Sequence, residues 1–163
     1  MNNKRLNKVL EIMKENNIYQ MIISDKMSIY YLTGEKIESM ERFIALYIDI
    51  DNTYKFIINR LFYMPNKNSL DYIIYEDNQD GVEILSNIVN KNYKLGIDKT
   101  LKAGFLIRLL KFIKIDFFDS SFVVDNLRLI KDEEEQMFLR EVSRLNDIAM
   151  EKLYLGLVRD YLK

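Results

Sequence analysis

The sequence predicts an α/β domain in which a mixed sheet is covered by helices and followed by one long C-terminal helix. Three observations carry this. Two short apolar runs flank a polar turn in the first half of the chain, giving an antiparallel hairpin. From Asp71 onward, strand-like and helix-like stretches alternate, which requires a sheet with helices packed on it. A single apolar stripe then runs from Phe138 through Val142, Leu145 and Ala149 to Leu153, longer than the usual helix of about 12 residues.

In chain order, Leu6, Val9, Leu10 and Met13 recur at i, i+3, i+4, i+7 and open the chain with an amphipathic helix. Residues 19–24 (YQMIIS), bounded by Asn16, Asn17 and Asp25, form a buried strand. Residues 28–34 (SIYYLTG) end on glycine and predict a short helix closed by a left-handed residue. Residues 43–48 and 54–58 are the hairpin strands around Asp49–Asn52, and residues 71–75 (DYIIY), beyond Pro65, are a further strand. Asp80-x-x-Glu83 begins a helix carrying Val82, Leu85, Ile88 and Val89. Residues 94–97 form the next strand. Thr100 is the expected cap of a helix with Leu101, Phe105, Leu109, Phe112 and Ile113 on its apolar face, and residues 115–118 the strand after it. Asp132-x-x-Glu135 is a second capping box and starts the long helix. That helix either continues through Leu155, Leu157, Val158 and Leu162 or folds back at Gly156.

The chain has 163 residues, Lys plus Arg 24 against Asp plus Glu 25, and only Gly 5 and Pro 1. Such a composition supports a packed core and excludes linker-like or disordered chains. A net charge of -1 provides no field to gather nucleic acid or anionic lipid, so neither nucleic acid nor membrane is expected as a partner. His 0 and Cys 0 exclude Ser/His/Asp and Cys/His catalysis, zinc sites and disulfides within this chain. No apolar run approaches the about 18 residues needed to cross a bilayer, the first residues lack a signal-like core, and a cytoplasmic protein is expected.

What remains is carboxylate chemistry, with Asp49, Asp51, Asp77, Asp80, Asp98, Asp116 and Asp119 as candidates. All lie at turns or strand ends, where solvated acids and caps are the ordinary use. The run Asp132–Glu135 complements a helix dipole. Gly81, Gly96 and Gly104 are isolated, so no phosphate-binding loop is present. No metal site and no catalytic residue is expected in this chain.

Three stretches together resemble the amino-terminal domain of the creatinase, prolidase and aminopeptidase P family of Xaa-Pro metallopeptidases. They are Ser28-Ile29-Tyr30-Tyr31-Leu32-Thr33-Gly34 followed by Glu41-Arg42, Leu95-Gly96-Ile97-Asp98, and Leu127-Arg128-Leu129-Ile130-Lys131-Asp132-Glu133-Glu134-Glu135 with Arg140, Ser143 and Ala149 beyond. The third is similar to the junction that leads into the family's catalytic domain. The resemblance implies a ribonuclease H-like amino-terminal domain over residues 1–131. Residues 132–163 then become a linker helix and the start of a pita-bread catalytic domain that lies outside this sequence.

By the same resemblance, the parent polypeptide hydrolyses the bond before proline with two divalent metal ions, Mn, Co or Zn, held in that absent domain by two Asp, one His and two Glu. This domain then dimerises, partners its own catalytic domain, and lends the loop 35–42 to the other subunit's active site and its proline-containing peptide. Glu38, Glu41 and Arg42 are the substrate-loop candidates, with Arg42 suited to a bidentate hold on a substrate carboxylate. A surface pairing of Arg42 with Glu38 or Glu41 is the structural alternative. The sequence departs from the prolidases at Met40, where they carry histidine, at Glu38 in place of Asp, and at Glu35 in place of an aromatic. The loop is expected to be exposed. Relatives that lost their metals leave a non-catalytic interaction module as the other function, and a nuclease would need acids converging on adjacent strand ends.

Overall fold

A computed structural model describes residues 3–63 and 70–161, with side chains to Leu157. The elements are α1 (Asn3–Glu15), β1 (Gln20–Ile23), α2 (Lys26–Thr33), β2 (Ala45–Asp49), β3 (Tyr54–Asn59), a 3-10 turn (Arg60–Phe62), β4 (Asp71–Tyr75), α3 (Gly81–Ile88), β5 (Leu95–Ile97), α4 (Ala103–Phe112), β6 (Phe117–Asp119), α5 (Phe122–Leu129) and α6 (Glu133–Tyr161). The chain divides into two compact units, residues 1–127 and 128–163.

In the first unit the six strands form one sheet in the order β4-β3-β2-β1-β5-β6. β2 pairs antiparallel with β1 and β3, and every other neighbouring pair is parallel. Five strands therefore run one way and β2 alone runs against them. This is the mixed, helix-covered sheet that the sequence predicts.

Side chains alternate across the sheet because successive strand residues point to opposite faces. Met21, Ile23, Leu46, Ile48, Phe56 and Ile58 meet α1, α2 and α5 through Leu6, Val9, Met13, Ile29, Leu32, Val123 and Val124. Ile22, Ala45, Tyr47, Ile57, Tyr75 and Leu95 meet α3 and α4 through Val82, Leu85, Leu109 and Ile113. Both faces are covered, so all four residues of β1 are buried, the polar Gln20 included.

The ends of the elements follow local chemistry. Asp25 caps α2 by accepting from Ser28 N at 2.8 Å, and Gly34, at φ 78, closes it in the left-handed region with its N–H on Tyr30 O. Asp80 caps α3 through Val82 N at 2.8 Å. Pro65 lies outside the described residues.

Three sequence expectations are corrected here. Thr100 does not cap α4: its N–H (2.8 Å) and hydroxyl (2.6 Å) both go to Asp98 Oδ1, so the chain turns first and the helix starts at Ala103 behind Lys102, which makes no side-chain cap. Phe112 is exposed instead of facing the core, because only Leu109 of α4 is fully covered by α3 and the sheet. The third strand-helix step also contains α5, which the sequence pattern did not announce.

In the tyrosines of this core, burial pushes Tyr72 and Tyr75 up to about 12 and raises Tyr47 as well. The fold holds these phenols neutral, whereas the unfolded chain ionises them from about pH 10. Stability is therefore complete below about pH 10 and falls as pH rises toward about 12. Denaturation midpoints that stay constant up to about pH 11.5 would contradict this.

In the second unit, Asp132 and Glu135 form a reciprocal capping box, Glu135 N on Asp132 Oδ1 at 2.9 Å and Asp132 N on Glu135 Oε2 at 3.0 Å. From there α6 runs unbroken through Gly156, so the alternative of a fold-back is set aside. Phe138, Val142, Leu145 and Leu153 are exposed, as are Leu155 and Leu157; the side chain of Val158, and Leu162, lie outside the described residues. Asp132→Ala is expected to cost about 1 kcal/mol, read as lost helicity and a lower denaturation midpoint.

Candidate functional site

Because β2 runs against its neighbours, its first residues share one edge of the sheet with the ends of β1, β3, β4, β5 and β6. The loop 35–42 enters β2 at this edge, and the cleft it bounds is about 440 Å³ in volume. Ser24 to Lys26 from the end of β1, Thr100 to Lys102 beyond β5, Phe105 of α4, and Glu38 to Met40 with Arg42 from the loop line it.

The loop is pinned along its length. Thr33 Oγ1 accepts from Glu35 N at 3.0 Å and donates to Ile29 O at 2.7 Å, which fixes the exit from α2. Ile37 packs against the core and Ser39 is buried, so the expectation of a wholly exposed loop is corrected at these two residues. Lys26 Nζ reaches Glu38 at 2.6 Å, and this hydrogen-bonded ammonium holds the Glu38 carboxyl below its ordinary value. Lys102 Nζ donates to Met40 O at 2.9 Å, and Arg42 N returns to Ser39 O at 2.9 Å. The turn leaves Met40 at φ 51, in the left-handed region, with its side chain 67% exposed.

Arg42 is half-buried and committed. Its Nε and Nη2 fork onto Asp77 Oδ1 and Oδ2 at 2.8 and 3.0 Å, and Nη1 meets Glu41 Oε1 at 2.7 Å. Asp77 also accepts from Asn59 Nδ2 at 2.9 Å, and the Arg42 hydrogen bonds hold its carboxyl below the usual range. Of the three loop candidates, Glu41 and Arg42 are brought together and Glu38 turns to Lys26. The principal partner of Arg42 is Asp77, from beyond β4, a residue that no sequence pattern joins to it.

Asp98 overturns its expected status as a solvated turn acid. It is 7% exposed and accepts from Ser24 N, Ser24 Oγ at 2.9 Å, Asp25 N at 2.9 Å, and Thr100 N and Oγ1. It sits at the end of β5 and clamps the end of β1, so it builds the wall of the cleft. Two residues earlier, a Cβ on Gly96 would stand 2.7 Å from Ser120 Cβ and Oγ and 3.1 Å from Met21 Cβ, which accounts for glycine there.

Acids do gather at adjacent strand ends, Asp25 after β1, Asp98 after β5 and Asp119 ending β6. Their oxygens are spent locally: Asp25 caps α2, Asp98 takes five donors, and the Ser121 hydroxyl and N–H on Asp119 lower its pKa. Among the described residues, no group of three or more acids, histidines or cysteines is placed to hold a metal ion. Nor is any helix among them long and apolar enough to cross a membrane.

A mixed sheet covered by helices on both faces, with a pinned loop and a cleft at one edge, defines the chain's first unit as an α/β domain. The family model described as Creatinase/Prolidase N-terminal domain matches residues 5–130, and the chain belongs to this family. Among solved structures, it is similar to a dipeptidase from Pyrococcus horikoshii OT3 at 28% identity and TM-score 0.82, over 91% of this chain and 43% of that one. It shares its fold with a prolidase from Thermococcus sibiricus at 20% identity and TM-score 0.83, over 92% and 43% of the two chains. The Creatinase/Prolidase N-terminal domain of an X-Pro dipeptidase from Streptococcus pyogenes, at 18% identity and TM-score 0.68, has the same fold over 76% of this chain and 98% of that one. No curated protein matches the sequence. The chain thus spans less than half the length of the Pyrococcus dipeptidase and the Thermococcus prolidase.

Proposed function

We propose that this chain is the amino-terminal, non-catalytic part of a metal-dependent peptidase, of prolidase or aminopeptidase P type, that hydrolyses the bond before proline. The supporting observation is the match to the Pyrococcus dipeptidase, which takes in 91% of this chain and 43% of that protein. Residues 1–131 serve as the domain that dimerises and governs substrate access, and residues 132–163 lead into the catalytic domain that is its partner. Two divalent ions, Mn, Co or Zn, belong to that domain and supply the chemistry; none is assigned to this chain. The parent works in the cytoplasm as a homodimer on proline-containing peptides, and the loop 35–42, through Glu38, Glu41 and Arg42, meets the peptide across the dimer.

The full-length polypeptide is expected to release proline from Xaa-Pro dipeptides when Mn²⁺ is supplied and to stop when the metal is chelated. Failure to cleave any Xaa-Pro peptide under these conditions would refute the proposal. Arg42→Ala should lower kcat/KM about tenfold with metal content unchanged, and mixing it with a metal-site variant should restore part of the activity in freely exchanging dimers.

A further inference from the structure

We infer that Asp77 is an internal carboxylate that competes with a peptide carboxylate for the guanidinium of Arg42, so that a ligand binds there by exchange. Asp77's role rests on the loop 35–42 being the substrate loop proposed above.

A carboxylate ligand is held best through two parallel N–H bonds from one edge of the guanidinium. The Nε and Nη2 edge of Arg42 already holds a carboxylate in this way, that of Asp77. The remaining nitrogen, Nη1, meets Glu41. Asp77 is not a wandering partner, because Asn59 Nδ2 holds its Oδ1. Asn59 is itself 1% exposed and fixed by accepting Leu61 N on its Oδ1 at 3.0 Å. The competitor is therefore anchored to the ends of β3 and β4, while Arg42 is one of the residues that line the cleft.

Both carboxylates around Arg42 are well exposed, at 59% for Asp77 and 74% for Glu41, so the exchange has a low cost, as exposed ion pairs are weak. The fork is already aimed when the ligand arrives. Only an ionised group keeps the Arg42 guanidinium paired with a carboxylate once Asp77 is displaced into solvent; a neutral amide does not. Asp77 thereby acts as a positioning and specificity residue, selecting peptides with a free carboxylate over amidated ones.

The test uses the 163-residue chain, ¹⁵N-labelled, with the Arg42 Nε–H resonance followed during titration with acetate and, separately, acetamide at constant ionic strength. Asp77→Asn keeps an acceptor for Asn59 and removes the competing charge; Asp77→Ser is the second variant should the first fail to fold. The acetate midpoint is expected to fall about two- to fivefold in the variant, the range an exposed pair supplies, and acetamide should move neither protein. Equal acetate midpoints in variant and wild type would overturn the inference. In the full-length parent, Asp77→Asn should lower KM for dipeptides with a free carboxylate, leave kcat unchanged and leave amidated substrates unaffected; an equal rise in KM for both would overturn it. A parent that cleaves nothing refutes the proposed function, while the titration still decides the role of Asp77.

Discussion

Replacing Asp98 by alanine is expected to destabilise the domain by about 3 kcal/mol or more. Its carboxylate is buried and receives five donors, two from Ser24, one from Asp25 and two from Thr100. Alanine removes the acceptor shared by the backbone N–H groups of Ser24, Asp25 and Thr100, which are part-buried to exposed at the cleft wall, and each donor that water does not reach costs about 1–3 kcal/mol. Asp98→Asn retains one acceptor oxygen, so its loss should be smaller. Urea denaturation of the two variants measures both values, and a change below about 1 kcal/mol for the alanine variant would show that water replaces the carboxylate. The damage should also reach the cleft, because Ser24 and Thr100 form part of its wall.

Gly96→Ala should cost about 1–3 kcal/mol through overpacking. The new methyl would meet Ser120 Cβ and Oγ at 2.7 Å and Met21 Cβ at 3.1 Å, and Gly96 is held on both sides by pairing with Met21 and Phe118. Ser120 Oγ is buried with no hydrogen-bond partner among the described residues, so Ser120→Ala alone should be nearly neutral. Combining Gly96→Ala with Ser120→Gly should recover part of the loss. A double variant no better than Gly96→Ala would mean that the strain comes from Met21, and strictly additive effects would deny the contact.

Much of the fold was legible because its signals are local. The stripe Leu6, Val9, Leu10, Met13 is buried as its spacing implies, Gly34 adopts the left-handed cap, and the Asp132 and Glu135 box closes as written. α5 was missed because eight residues make little more than two turns, and the adjacent β-branched Val123 and Val124 blur a helical period. Thr100 misled because a hydroxyl before an apolar period is also what a turn uses, and Asp98, two residues back, claimed it first. In the site, Arg42 was visible through its Glu-Arg pair, but Asp77 lies 35 residues away in a different loop, and no periodicity joins two loops. Asp98 stood in a Gly-x-Asp stretch, yet its burial depends on donors 73 and 74 residues away.

The strand order also bears on how the chain is made. β1 to β4 neighbour one another in sequence, so that side of the sheet can assemble as soon as Tyr75 has left the ribosome. β1, however, is then a bare border, four residues with an open ladder, until β5 is synthesised and pairs along it. A nascent chain paused between these two points carries a strand ready to pair with another molecule. The bonds from Asp98 back to Ser24 and Asp25 end that interval, since they form only once the late strand has reached the early one. Variants weakened at Asp98 should therefore yield more aggregate during synthesis than their equilibrium stability alone would suggest.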